Sequence, residues 1–199
     1  MTRVIAGQAR GRQLAVPKGR TTRPTGDRVR EAMFAAAGSM LGSFEGTRVL
    51  DLYAGSGAAG LEALSRGAAH ALLVEADPRP AQAIKANLQT VGLAGGRLVQ
   101  DRVERLLDRG LPPGDEPYDV LFADPPYALA GTELTAVLAV AATRGWLTPG
   151  ALAIVERASR SEPLCWPPGY SPLRSRRYGE ATLWYATFDA SPASPDARP

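Results

Sequence analysis

Residues 49–60 read VLDLYAGSGAAG, an apolar run, then a glycine-rich turn, then the opening of a helical segment. Gly55-Ser56-Gly57-Ala58-Ala59-Gly60 fits the pattern G-x-G-x-x-G. Glycines at these positions allow a tight strand-to-helix turn and close approach of the backbone to a ligand. In an α/β unit of this kind the ligand lies beyond the C-terminal end of the strand. The turn alone suits nicotinamide cofactors as well as other nucleosides, so the surrounding residues must identify the ligand.

Outward from this unit, apolar runs at 49–53, 71–76, 97–99, 118–123 and 151–156 alternate with helical segments at 58–66, 79–91, 102–109 and 132–144. The runs are continuously apolar, as in strands buried on both faces. An α/β fold is predicted, a Rossmann-like, doubly wound and mostly parallel sheet covered by helices on each side. Residues 173–178 and 181–188 add an antiparallel C-terminal hairpin turned at Gly179-Glu180. Upstream, 3–7 and 12–16 read as a small β-hairpin, and 18–26 as an extended polar loop. Asp27 is expected to cap a helix reaching about Leu41, with Val29, Met33, Phe34 and Ala37 at helical spacing. The expected organisation is a basic N-terminal extension (1–45), a catalytic domain (46–189) and a disordered tail (190–199) with nothing to bury.

The 199 residues suit one such domain with a modest appendage. No apolar run approaches the roughly 20 residues that span a bilayer, and no signal peptide is read at the N-terminus. One cysteine, Cys165, and one histidine, His70, leave no disulfide, thiolate metal cluster, zinc site or Ser-His-Asp triad to build. A cytoplasmic protein without a metal is expected. Charge is unevenly spread: residues 1–30 carry eight basic side chains against Asp27, whereas the rest carry 15 basic and 19 acidic. That asymmetry suits an anionic partner at the N-terminal segment or, equally on charge alone, a solvated basic face.

Three acids at successive strand ends bear on the ligand. Asp51 lies four residues before Gly55, where a carboxylate repels a pyrophosphate but attracts an ammonium. Glu75 ends the next run, 20 residues after Gly55, the position from which an acid takes a ribose diol. Asp101 follows the third run and can accept from an adenine amino group. Ammonium, ribose and adenine together describe S-adenosyl-L-methionine better than NAD. Tyr53, Gly55, Ser56, Gly57, Ala76 and Arg102 adjoin these acids and complete the expected cofactor site.

The fourth run leads directly into Asp124-Pro125-Pro126-Tyr127. Consecutive prolines stiffen the loop and remove two backbone donors, leaving their carbonyls as acceptors. An exocyclic amino nitrogen conjugated to a base ring is nearly planar and a poor nucleophile. Acceptors at the Asp124 carboxylate and the Pro125 carbonyl favour its pyramidal form, with the lone pair facing a methyl sulfonium. Tyr127 offers a face for stacking a base swung out of its helix. The predicted reaction is amino methylation of a nucleic-acid base.

These residues resemble a known family. VLDLYAGSGAAGLEALSRGA (49–68), Glu75 and DPPY match class I amino methyltransferases, and RVIAGQARGRQL (3–14) with RPTGDRVREAMF (23–34) narrows the resemblance to the RsmD-type rRNA (guanine-N2)-methyltransferases. It spans residues 3–188. The resemblance implies a seven-stranded sheet, S-adenosyl-L-methionine, and one guanine of 16S rRNA in the small ribosomal subunit or its assembly intermediate. It assigns Asp51, Gly55 and Gly57 to the methionine part of the cofactor, Glu75 to its ribose and Asp101 to its adenine. Asp124 to Tyr127 would hold the guanine, and Arg3, Arg10, Arg12, Arg23 and Arg28 would contact RNA. A monomer is expected. Amino methylation of DNA adenine or cytosine, or of another RNA, uses the same loop chemistry, and an NAD(P)-binding oxidoreductase uses the same turn.

Overall fold

The computed structural model describes residues 2–16 and 26–189. Two short strands, β1 (Thr2–Arg3) and β2 (Gln13–Leu14), pair antiparallel, and α1 (Asp27–Leu41) follows. The body then alternates: β3 (Arg48–Leu52), α2 (Ala58–Ser65), β4 (His70–Val74), α3 (Pro78–Val91), β5 (Gly96–Val99), α4 (Val103–Asp108), β6 (Tyr118–Ala123), α5 (Gly131–Thr143) and β7 (Leu147–Ala158). The antiparallel strands β8 (Tyr170–Tyr178) and β9 (Ala181–Phe188) close it.

The seven strands lie in the order β5-β4-β3-β6-β7-β9-β8. The first five are parallel, and β9 runs antiparallel to both β7 and β8. Apolar residues go to both faces because both are covered. Leu50, Leu52, Val74, Leu121, Ala153 and Val155 pack under α4 and α5. Val49, Leu73, Val120, Phe122, Leu152 and Ile154 pack on the opposite face with α1, α2 and α3. Connections reverse direction between β3 and β6, and the crevice at such a point is where open α/β sheets bind ligands.

The hairpin shares that second core through Val4, Ala9 and Leu14. It is tied to α2 by the buried Glu62, whose carboxylate accepts from the N–H groups of Ile5 (2.7 Å) and Ala6 (3.0 Å). Ser65 Oγ accepts from Ala9 N–H at 2.9 Å. The hairpin's paired strands are two residues each, shorter than the sequence predicts, because these docking bonds replace strand pairing. Asp27 does not cap α1: Gly26 holds the N-cap position, and the Asp27 side chain instead meets Arg30 at 3.1 Å. The expected loop 18–26, save Gly26, and the expected tail 190–199 lie outside the described residues.

Candidate active site

At the C-terminal edge of β3, the chain enters the glycine turn through Tyr53, which has a positive φ of 60°. That conformation is uncommon for a residue with a side chain and is typical of sites where surrounding structure imposes it. Tyr53 Oη lies 3.3 Å from Glu104 Oε1, and burial with this carboxylate raises the phenol's pKa. Gly57 then takes φ +79° as the N-cap of α2, and a Cβ there would lie 2.8 Å from Leu73 Cδ2. The glycine is therefore needed for packing as well as for the turn.

Asp51 is buried, 4% exposed, and its Oδ2 accepts from Gly60 N–H at 2.9 Å. Burial is the main force that raises its pKa to about 7; the Gly60 bond opposes this and the Glu75 charge adds to it. A carboxylate in that state suits a cationic partner. Glu75 accepts from Gly55 N–H (2.9 Å) and Asp77 N–H (2.8 Å), linking the ends of β3 and β4. A carboxylate has about four lone-pair sites, so ribose hydroxyls can still donate to it.

Register brings the second half of the site alongside. Asp51 pairs with Phe122, and Leu52 with Ala123, so DPPY leaves the sheet next to the glycine turn. Asp51, Tyr53, Gly55, Ser56, Glu75 and Ala76 line one cavity of about 640 Å³ together with Asp124 to Tyr127 and Arg102. That volume is typical of small-molecule sites. Gly57 is buried behind the turn. Tyr127 is 66% exposed, and its ring is open for stacking. Pro126 differs from expectation: its carbonyl accepts from Leu129 N–H at 2.9 Å, closing a turn, so it is not an uncontested acceptor. Among the described residues no donor is bonded to the Pro125 carbonyl.

Asp101 is not among the residues that line the cavity. Its carboxylate turns into α4, where it accepts from Arg102 N–H (2.7 Å) and Arg105 Nε (2.6 Å) and meets Arg109 at 3.2 Å. The Arg105 hydrogen bond leads the causes that hold its pKa below the ordinary value. Of the expected RNA contacts, Arg3, Arg10, Arg12 and Arg28 are exposed. Arg12 donates from Nη1 to the carbonyls of Thr90 (2.5 Å) and Val91 (2.9 Å), capping α3. Arg23 lies outside the described residues.

Among the cavity residues not singled out individually from the sequence are Arg30 and Glu156, although the family resemblance implies that segment 23–30 borders the cofactor and the RNA. Arg30 is 2% exposed, donates from Nη2 to Arg3 O and Asp27 Oδ1, and leaves Nε buried without a partner. Its signal was present: Arg30, Met33, Phe34 and Ala37 share one helical stripe, which must face inward. Glu156, one residue beyond the Ala123–Val155 pair, stands beside Asp124 at the same sheet edge. Nothing in its local sequence distinguishes it from an ordinary surface acid.

A family model described as conserved hypothetical protein 95 matches residues 2–187. The chain is 39% identical over 154 residues to ribosomal RNA small subunit methyltransferase D of Escherichia coli K12, covering 77% of this chain and 73% of that protein. It is 35% identical over 178 residues to the protein of that name from Haemophilus influenzae, covering 89% of each. The solved structure of the Escherichia coli protein yhhF superposes with a TM-score of 0.80 at 35% identity, over 96% of this chain and 99% of that one. Matched over nearly its whole length, the chain belongs to the conserved hypothetical protein 95 family, the RsmD family its motifs resemble.

Proposed function

We propose that this protein methylates the exocyclic N2 of one guanine in 16S rRNA, using S-adenosyl-L-methionine, on the small ribosomal subunit or its assembly intermediate. In this reading it works in the cytoplasm as a monomer. The observation that carries it is the β3–β6 register, which opens a buried, cation-seeking Asp51 and the DPPY loop into one cavity. The names of the relatives support rRNA as the substrate class. The choice of guanine rests on the family resemblance of residues 3–14 and 23–34.

The residues present fit the cofactor. In this reading Asp51 takes its ammonium and Glu75 its ribose hydroxyls, while a pyrophosphate would meet both carboxylates at the turn, which counts against a nicotinamide dinucleotide. When bound, S-adenosyl-L-methionine supplies an electrophilic methyl group on a sulfonium. Asp124 and the Pro125 carbonyl accept the amino hydrogens of the base and favour the nitrogen's pyramidal form. Tyr127 would stack on the ring, and the stiff loop would hold the amino nitrogen toward the methyl donor. Asp101, committed to α4, is left out of the proposed adenine contacts.

The test is incubation with labelled cofactor and separate pools of naked rRNA, small subunits and DNA, followed by nucleoside analysis. Label in N2-methylguanosine from the RNA pools is expected, and preferential labelling of DNA would overturn the reading. Asp124→Ala should lower kcat by about 10²–10³-fold, the scale of losing one acceptor or donor aimed at developing charge. Its affinity for S-adenosylhomocysteine should be unchanged. Full activity in this variant would remove Asp124 from the chemistry.

A further inference from the structure

The cavity's sheet face continues past β7 onto β9 and the edge strand β8, beyond the residues assigned so far. Register aligns Ile154 with Tyr185 and Arg174, and Glu156 with Leu183 and Arg176. Ile154 and Glu156 line the cavity, so the two arginines occupy the same two rows of the sheet, two strands away. At about 4.8 Å per strand, the offset is roughly 10 Å. Tyr185 and Tyr178 pack into the core on this same face, and the guanidinium of Arg174 sits 5.2 Å over the Tyr185 ring, that of Arg176 5.3 Å over the Tyr178 ring. Both arginines are exposed. Arg177, on the opposite side of the pleat, instead donates from Nε to the Gly179 carbonyl at 3.0 Å.

We propose that Arg174 and Arg176 form a phosphate-binding row for the rRNA strand flanking the target base, at the far side of the cavity from the N-terminal hairpin. The inference rests on the rRNA reading above. A base delivered to DPPY, at the end of β6, leaves its backbone outside the cavity mouth, and β8, three strands or about 14 Å away, is within reach of the phosphates flanking it. The tyrosine rings lie under the guanidinium groups and restrain them, limiting the freedom lost when a phosphate oxygen binds. Phosphate contacts of this kind fix orientation without reading sequence. The competing explanation is that the arginine stems only cover apolar rings and protect an edge strand.

Replacing both by methionine keeps a long apolar stem and removes the charge. The probes are small subunits and deproteinised small-subunit rRNA from a strain lacking the protein. For R174M/R176M, KM for these RNAs should rise on the order of tenfold. The slope of log affinity against log salt should flatten by roughly 1.5, the value for two lost phosphate contacts on a single strand. kcat and S-adenosylhomocysteine affinity should not change, and R174K/R176K should restore most of the RNA affinity. Unchanged KM and salt slope would overturn the inference, as would a lysine variant no better than methionine. A wild-type protein that methylates neither RNA overturns the functional reading and this inference with it.

Discussion

Asp51 is a carboxylate that the fold removes from water and leaves with one backbone donor and a like-charged neighbour. Because its pKa rises from 3.8 to about 7, the native state holds the proton more tightly than the unfolded chain does. Its contribution to stability is therefore greatest below about pH 4 and is lost as pH climbs through about 7. Thermal melts of the free protein should show this decline, and Asp51→Asn should flatten it while retaining an oxygen for the Gly60 N–H. A bound ammonium favours the charged form, so cofactor binding should release protons near pH 6 and almost none near pH 8.5. Calorimetry of S-adenosylhomocysteine binding in buffers of different ionisation enthalpy measures this directly, and no buffer dependence at pH 6 would count against Asp51 as the ammonium partner. Asp51 and Glu75 were legible in the sequence because their positions relative to Gly55 fix them at strand ends. Asp101 was legible only as a strand-end acid. Its commitment depends on Arg105 and Arg109, one and two helical turns further on, and strand spacing says nothing about side chains on the next helix.

At the scale of elements, α2 serves two structures from its two ends. Its N-terminus caps the glycine turn, and Glu62 and Ser65 further along hold the hairpin. Gly57→Ala places a side chain in left-handed backbone and against Leu73, and should destabilise the protein by about 1–3 kcal/mol in denaturant unfolding. Glu62→Ala strips two hairpin N–H groups and Arg66 of their acceptor at a fully buried position. The expected loss is about 3 kcal/mol or more. Faster proteolysis or hydrogen exchange in residues 2–16 than in the sheet would locate the damage. The alternating elements were readable because apolar runs and helical periods obey local rules, and most boundaries fall within a residue or two of expectation. The hairpin was read as strands with a basic surface. Its docking bonds span 56 to 79 residues, and local pattern carries no information about partners so distant.

Across the whole molecule, the strand order sets which chemistries meet. Sequence order places DPPY two strands after Glu75, but the sheet inserts β6 beside β3, bringing the acceptors next to Asp51. The parallel fold and its crevice followed from the alternation, and so did the loop at the crevice. The resemblance implied that segment 23–30 borders the cofactor; what remained hidden was that Thr2 and Val16 of the hairpin help wall the cavity beside Arg30. A protein whose N-terminal segment walls its main cavity should not tolerate removal of that segment as a separate module. Deleting residues 1–16 is expected to lower the melting temperature of the remaining chain and weaken S-adenosylhomocysteine binding. Unaltered melting and binding would mark the hairpin as an independent attachment.

The long reach of those hairpin bonds also orders events in time. Residues 2–16 leave the ribosome well before their anchors, which are Glu62 and Ser65 on α2, Asn87 on α3, and the Thr90 and Val91 carbonyls that take Arg12. Until residue 91 has emerged, residues 2–16 have only part of their docking surface. Nascent chains stalled before α3 is free should lose their N-terminus to protease, and chains stalled after β5 should keep it. The hairpin is thus synthesised before the surfaces that hold it, and an unfinished chain carries it undocked.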